Sequence, residues 1–270
     1  ALFFFILAKI NFSMHTFYAY LQHFFRSKNQ HGIHSPFVYN FYLKTLRRQV
    51  DKKSWKKYLR FRANVFSSKD YLENENFGAG SKKLKRSSSS IQKIARVAGS
   101  SKKKAKLLMR LSNFETPKNI LEFGTSLGLG SAALALGNES SRIVTLEGSS
   151  SKSQAAQKFF KNSNISNITA VCSDFDDYLN NFETNEGFDI IFIDGNHTYQ
   201  ATKRYFNWAL KHLNTSGMII FDDIYWSKDM TKAWREICAS SAINLSMDLF
   251  LVGIVMKRKE QSKEHFRLKY

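Results

Sequence analysis

A chain of 270 residues with 43% hydrophobic content can bury the core of one large or two small domains, and with only 2 Pro and 13 Gly it is not collagen-like, elastomeric or wholly disordered. Cys172 and Cys238 lie far apart with no CxxC or metal-ligand spacing, which excludes a disulfide scaffold and a zinc ribbon and fits a reducing compartment, the cytoplasm by default. The +19 charge is lopsided: residues 1–110 hold 24 Lys and Arg against 4 Asp and Glu, and residues 111–270 hold 17 against 18. The excess therefore sits in the first two fifths, where it either attracts an anion (nucleic acid, lipid headgroups, an acidic substrate) or is simply solvated.

The apolar run Ala1–Ala8 is too short to span a bilayer, which takes about 20 residues. Phe17, Tyr18, Tyr20, Leu21, Phe24 and Phe25 belong to a helix that packs on the body or lies in a membrane interface. Helices are expected to residue 65, broken at His31-Gly32-Ile33-His34-Ser35-Pro36, where Gly and Pro punctuate the chain. Residues 66–90 read as a polar, mobile connector. Ser90 and Ser101 stand as caps before short helices at 91–97 and 102–111. Residues 1–110 thus form a basic helical extension, and 111–270 a second unit.

After Pro117, short apolar runs alternate with helical stretches. Strands are expected at 119–123, 142–147, 167–172, 188–193 and 217–222, with helices near 129–137, 151–162, 198–213 and 228–240. Continuously apolar strands alternating with helices imply an α/β fold: a doubly wound, mostly parallel sheet covered on both faces. Two last strands, near 243–249 and 251–257, have no helix between them, so they pair as a hairpin and one runs antiparallel.

In such a sheet ligands bind beyond the carboxyl ends of the strands. Those ends read Glu122-Phe-Gly124-Thr125-Ser126-Leu-Gly128, Glu147-Gly148, Ser173-Asp174-Phe175, Asp194-Gly-Asn-His197 and Asp222-Asp223. Gly124 and Gly128 allow a tight turn and let the backbone approach a ligand. Glu147 is placed to accept two ribose hydroxyls. Gly128-Leu-Gly130-Ser-Ala-Ala133 also fits a dinucleotide fingerprint. Against that, the strand ends four residues before Gly128, and the closing hairpin leaves no second mononucleotide half.

The acid-x-Gly-x-x-x-Gly run at 122–128, with the acids ending the next two strands and the hairpin, resembles the class I S-adenosylmethionine-dependent methyltransferases over about residues 112–258. The resemblance implies a Rossmann-like fold in which Glu122, Gly124, Thr125, Ser126 and Gly128 hold the methionine end of the cofactor, Glu147 and Gly148 the ribose, and Asp174 with Phe175 the adenine. A cofactor with a sulfonium and an ammonium but no phosphate suits an acid-rich crevice.

Oxygen acceptors of a methyl group need a general base, a metal or both. Asp194, Asp222 and Asp223 supply three carboxylates from adjacent strands, a set suited to Mg2+; left bare they would repel one another, so a cation, a proton or a basic neighbour is expected. The constellation resembles the metal-dependent O-methyltransferases of the catechol and macrolide-sugar types, which implies Asp194, Asp222 and Asp223 as metal ligands and His197 as general base. A capping role for His197 and a solvated turn for the acidic pair are the alternatives. The Gln30–Tyr39 segment and the Asp222–Trp226 run also resemble bacterial class I methyltransferases of unassigned substrate. This implies an N-terminal extension across the sheet's carboxyl edge, with His31, His34 and Tyr39 lining an acceptor pocket. The expected function is methyl transfer to oxygen of a small molecule or sugar, with RNA methylation or a non-catalytic cofactor-binding module at a membrane surface as alternatives.

Overall fold

The structure, a computed structural model, describes residues 14–73, 88–183, 186–258 and 260–270. The apolar run at 1–8 and most of the expected connector, residues 74–87, lie outside the described residues. The first described helices are α1 (Met14–Arg26), α2 (Pro36–Phe41), which runs into a π-helical turn at Tyr42–Leu46, and α3 (Lys52–Ser67). A short ladder of β1 (Tyr71–Glu73) and β2 (Ser88–Ser90) precedes α4 (Ile91–Ala98) and α5 (Lys102–Leu111). Ser90 and Ser101 cap α4 and α5 as expected, accepting from the amides of Lys93 and Lys104. The helices are broken at His31–Pro36 as expected: α1 has ended at Arg26, and α2 starts where Ser35 caps it, with proline at its first position losing no hydrogen bond there.

The alternating region gives β3 (Asn119–Phe123), α6 (Leu129–Gly137), β4 (Arg142–Glu147), α7 (Ser150–Asn162), β5 (Ile168–Cys172), α8 (Phe175–Asn180), β6 (Phe188–Ile193), α9 (Tyr199–His212), β7 (Leu213–Asp222), α10 (Lys228–Ala239), β8 (Leu245–Asp248), β9 (Val252–Met256) and β10 (Glu264–Arg267). Eight strands form one sheet in the order β10-β8-β9-β7-β6-β3-β4-β5, and β9 alone runs antiparallel to its neighbours. The hairpin is as expected. The sequence did not show β10, a charged edge strand parallel to β8, or the early start of β7, where Leu213 is followed by polar residues and the pairing with β6 shifts register between Phe188 and Ile190.

Successive strand residues face opposite sides, so each apolar run feeds two cores. Ile120, Ile190, Ile220 and Ile254 join the core built with α3, α5, α6 and α7, while Leu121, Ile191, Ile219 and Val255 join the one built with α9 and α10. Each such side chain contributes about 1.5–3 kcal/mol when fully buried. Helix α5, from the basic extension, is part of the first core through Leu107, Leu108 and Leu111. The ends of β3, β4, β6 and β7 emerge together at one edge, and α1 crosses it. His15 Nε2 lies 2.9 Å from the Thr231 hydroxyl, Thr16 donates to the Tyr225 carbonyl at 3.1 Å, and His23 Nδ1 lies 3.1 Å from Asp248. The helix also keeps Tyr18, Phe24 and Phe25 exposed. Among the described residues no helix is long and apolar enough to cross a membrane.

Candidate active site

The loop after β3 turns through left-handed backbone at Gly124 (φ 105°), Ser126 (48°) and Gly128 (78°). A Cβ at Gly124 would stand 2.1 Å from the Asp194 carbonyl oxygen, and one at Gly128 would stand 2.4 Å from the Phe160 ring. Both glycines are thus required by the turn and by packing within the chain. The amides of Gly124 and Thr125 donate to the Leu146 carbonyl (2.9 and 3.0 Å), that of Ser126 to Glu147 Oε2 (2.8 Å) and that of Gly128 to the Thr125 carbonyl (2.8 Å). A pyrophosphate is held by free amides at such a loop. With these four already engaged, the loop is poorly equipped for a dinucleotide.

Glu122 is fully buried at the base of this loop. Its Oε2 accepts from the Ser131 hydroxyl and, at 2.6 Å, from that of Thr145, while Oε1 has no hydrogen-bond partner among the described residues. Burial pushes its pKa up to about 7; the two hydroxyls oppose the rise, and the charges of Glu147 and Asp222 add to it. Thr125, expected to touch the cofactor, turns its buried hydroxyl to Thr145 at 2.7 Å and belongs to this network instead. Glu147, at the end of β4, is oriented by two amides, Ser126 on Oε2 and Ser149 on Oε1 (3.0 Å). Each carboxylate oxygen keeps a second lone pair, so both can still accept a hydroxyl. Gly148 follows, half-buried.

Asp174 is exposed and caps α8, accepting from the Asp176 amide at 2.8 Å. Phe175 is half-buried, its ring 5.5 Å from Phe123 and 5.9 Å from Tyr205, so it braces the end of β5 against that of β3. These groups fit the cofactor that the resemblance implies. A buried acid with an orphaned oxygen and a second, pre-oriented carboxylate suit a ligand with cationic groups and a ribose, and the committed amides suit one without phosphate.

Beside them lie Asp194 at the end of β6 and Asp222-Asp223 at the end of β7, where Asp223 takes left-handed backbone (φ 50°). His197 Nε2 stands 3.8 Å from Asp194 Oδ1, beyond hydrogen-bond reach. The three carboxylates were expected to hold Mg2+, and the structure departs from that. The ammonium of Lys104, from the first turn of α5, is hydrogen-bonded to Asp222 Oδ2 and lies 3.9 Å from Asp223 Oδ1. Among the described residues no group of three His, Cys, Asp or Glu side chains is arranged to hold a metal. The basic neighbour is what the sequence left open. Burial and the Asp222 charge raise the pKa of Asp194, and burial with Asp222 raises that of Asp223. Burial works against ionisation of Asp222, but Lys104 and a hydrogen bond with Asp194 hold its pKa below the usual value. Asp222 and Lys104 therefore form the ion pair of the cluster, and Asp194 is the carboxyl whose ionisation its surroundings disfavour.

His31, His34 and Tyr39 are exposed and do not join this cluster. Their segment is anchored by Phe37 and Phe41 on Phe114, five residues before β3, and by Arg258 over Phe37 at 3.8 Å, just past the antiparallel β9. Those contacts lie at the amino edge of the sheet. The carboxyl edge is covered by α1, with Tyr20 5.2 Å from Phe250 and His23 at Asp248.

Residues 121–224 match a family model described as a methyltransferase domain. An uncharacterized protein of Acanthamoeba polyphaga mimivirus is 43% identical over 56 residues, 20% of this chain; the match spans a quarter (25%) of that relative's length. Among solved structures, an O-methyltransferase from Bacillus cereus in complex with SAH is 22% identical with a TM-score of 0.52, covering 77% of this chain and 92% of that one. The O-methyltransferase TomG from Streptomyces achromogenes, in complex with SAM, is 17% identical (TM-score 0.53; 81% and 96% covered). A SAH-bound Podospora anserina methyltransferase is 16% identical (TM-score 0.55; 84% and 97% covered). At such identities the likeness is one of fold. Residues 121–224 thus match a methyltransferase domain, and the chain has the Rossmann-like fold of these methyltransferase structures.

Proposed function

We propose that this chain transfers a methyl group from S-adenosylmethionine to an oxygen of a small hydroxyl-bearing acceptor, a phenol or a sugar. The observation that carries this reading is the convergence of His197 and Asp194, 3.8 Å apart, with the Lys104–Asp222 pair at the edge where Glu147 also ends its strand. When bound, the cofactor supplies an electrophilic methyl on a positively charged sulfur. Glu147, with Gly148 beside it, accepts the ribose hydroxyls, Glu122 lends a negative field beneath the loop 124–128, and Asp174 and Phe175 border the adenine side. A hydroxyl acceptor must lose its proton as it attacks, and the imidazole of His197 receives it. Burial and the Asp222 charge disfavour ionisation of Asp194, which opposes a third bare carboxylate on the acceptor side. Magnesium has no part in this reading, since Asp222, the central carboxylate of the three, is paired with Lys104. The O-methyltransferases among the structural neighbours support the same class of reaction.

The test uses S-adenosylmethionine carrying a deuterated methyl group, a panel of catechols and sugars, and mass spectrometry. A labelled methyl ether is expected, with kcat lowered about 10²–10⁴-fold in His197→Gln and cofactor affinity unchanged. Label appearing on nitrogen alone would remove the oxygen assignment. RNA as acceptor is a second reading, favoured by a cavity of about 240 Å³ lined by Arg47, Lys103, Lys106 and Arg110 with Leu46 and Tyr270. RNA binding that weakens steeply with salt would support it.

A further inference from the structure

We propose that Lys104 is the resident cation of this active site: its ammonium stands where a divalent metal would sit between the acidic strand ends, so methyl transfer here needs no metal. The proposal rests on the methyl-transfer reading and adds how the acceptor's developing charge is met.

The ammonium is held from both sides. Asp222, 1% exposed, accepts its hydrogen bond, and Asp223 Oδ1 lies at 3.9 Å, while the lysine side chain itself is 13% exposed. The backbone beneath it is fixed: the Lys104 amide donates to the Ser101 cap at 3.1 Å, and Ala105, Leu107, Leu108 and Leu111 are fully buried. Leaving this position would strand a buried aspartate whose other oxygen, Oδ1, has no hydrogen-bond partner among the described residues. A buried carboxylate without its partner is strongly disfavoured, so the ammonium stays. A metal entering here would have to displace a tethered cation.

An ammonium has three N–H donors. Asp222 takes one, which leaves donor capacity for an acceptor oxygen at the same edge as His197. As the acceptor hydroxyl passes its proton to the imidazole, negative charge grows on that oxygen, and a fixed positive charge a few ångströms away stabilises it without reorganisation. Lys104 acts there as a point charge, as a bound cation would, but one encoded in α5 and independent of metal supply.

The test is a Mn2+ titration of the chelator-treated full chain, followed by electron paramagnetic resonance of free Mn2+. Wild type is expected to take up no stoichiometric Mn2+. Lys104→Met, which keeps the unbranched apolar stem and removes the ammonium, is expected to gain one Mn2+ per chain, bound about tenfold or more tightly than by wild type, and Lys104→Met with Asp222→Asn is expected to lose it. Stoichiometric Mn2+ in wild type that Asp222→Asn abolishes overturns the proposal, as does a folded Lys104→Met that gains none. If Lys104→Met does not fold, the wild-type titration decides alone. S-adenosylmethionine titrated into the same samples reports on the cofactor reading separately, so its failure cannot be mistaken for failure of the cation assignment.

Discussion

Replacing Glu122 by Gln tests how strongly the first strand end is held ready for a cation. The wild-type carboxyl is fully buried, and its pKa stands at about 7 rather than near 4.5. The folded chain therefore keeps a proton that the unfolded chain releases, and this carboxyl's contribution to stability is present below about pH 4.5 and is lost as pH rises to about 7. At about 1.4 kcal/mol per pH unit, a rise of about 2.5 units costs the folded state ~3 kcal/mol once Glu122 is ionised. Gln cannot ionise, and its carbonyl oxygen can still accept from Ser131 and Thr145. Glu122→Gln should therefore match wild type near pH 4.5 and exceed it by up to ~3 kcal/mol at pH 8, less whatever its amide loses at the orphaned Oε1 position beside Gly130. Urea denaturation followed by tryptophan fluorescence at pH 5, 6, 7 and 8 measures the gap. A difference that stays constant across that range would refute the reasoning, because no titrating group would then separate the two proteins. The same variant should bind S-adenosylmethionine more weakly at pH 8, stability and cofactor affinity moving in opposite directions.

Gly128→Ala forces a Cβ into left-handed backbone against Phe160 and should cost ~1–3 kcal/mol; Phe160→Leu in the same chain should recover the steric part, measured by thermal unfolding. Ser101→Ala removes the cap of α5 and should cost ~1 kcal/mol, with a fall in activity beyond that loss because Lys104 lies in the capped turn. Asp248 is fully buried among His23, Arg267, the Tyr225 hydroxyl and the Phe250 amide. Burial opposes its ionisation, but His23, Tyr225 and that amide hold its pKa below the usual value. Its contribution to stability is present above about pH 4 and is lost as pH falls through the lowered pKa. Asp248→Asn should thus cost ~3 kcal/mol near pH 7 and less in acid, and limited proteolysis should cut α1 free first. An equal loss at pH 3 and pH 7 would contradict this.

The sheet was legible because its strands are continuous apolar runs bounded by Gly, Asp and Glu; hence β3, β4, β6 and the β8–β9 hairpin fall where pattern alone puts them. β10 was not, because Glu-His-Phe-Arg carries no apolar alternation and owes its existence to the free edge of β8. At the site, the acids at 122, 147, 194 and 222 stand out as strand ends. Lys104 did not, since it sits in a Lys-rich run that reads as solvated surface. A signal was there: Lys104, Leu108 and Leu111 fall at i, i+4 and i+7 behind the Ser101 cap, so the lysine shares the buried stripe of α5. The His31–Tyr39 segment misled for the opposite reason. Its chemistry suggested a pocket, and only the packing of Phe37 and Phe41 on Phe114 shows that it lies at the other edge of the sheet.

Isothermal titration of S-adenosylmethionine into the wild-type chain and into Glu147→Ala tests the central claim most directly. One cofactor per chain is expected, weakened about 10–100-fold in Glu147→Ala, since hydrogen bonds to a charged group contribute about 1.5–3 kcal/mol. A wild-type chain that binds no S-adenosylmethionine, or a Glu147→Ala chain that binds it equally well, would contradict the assignment of the strand edge as the cofactor site.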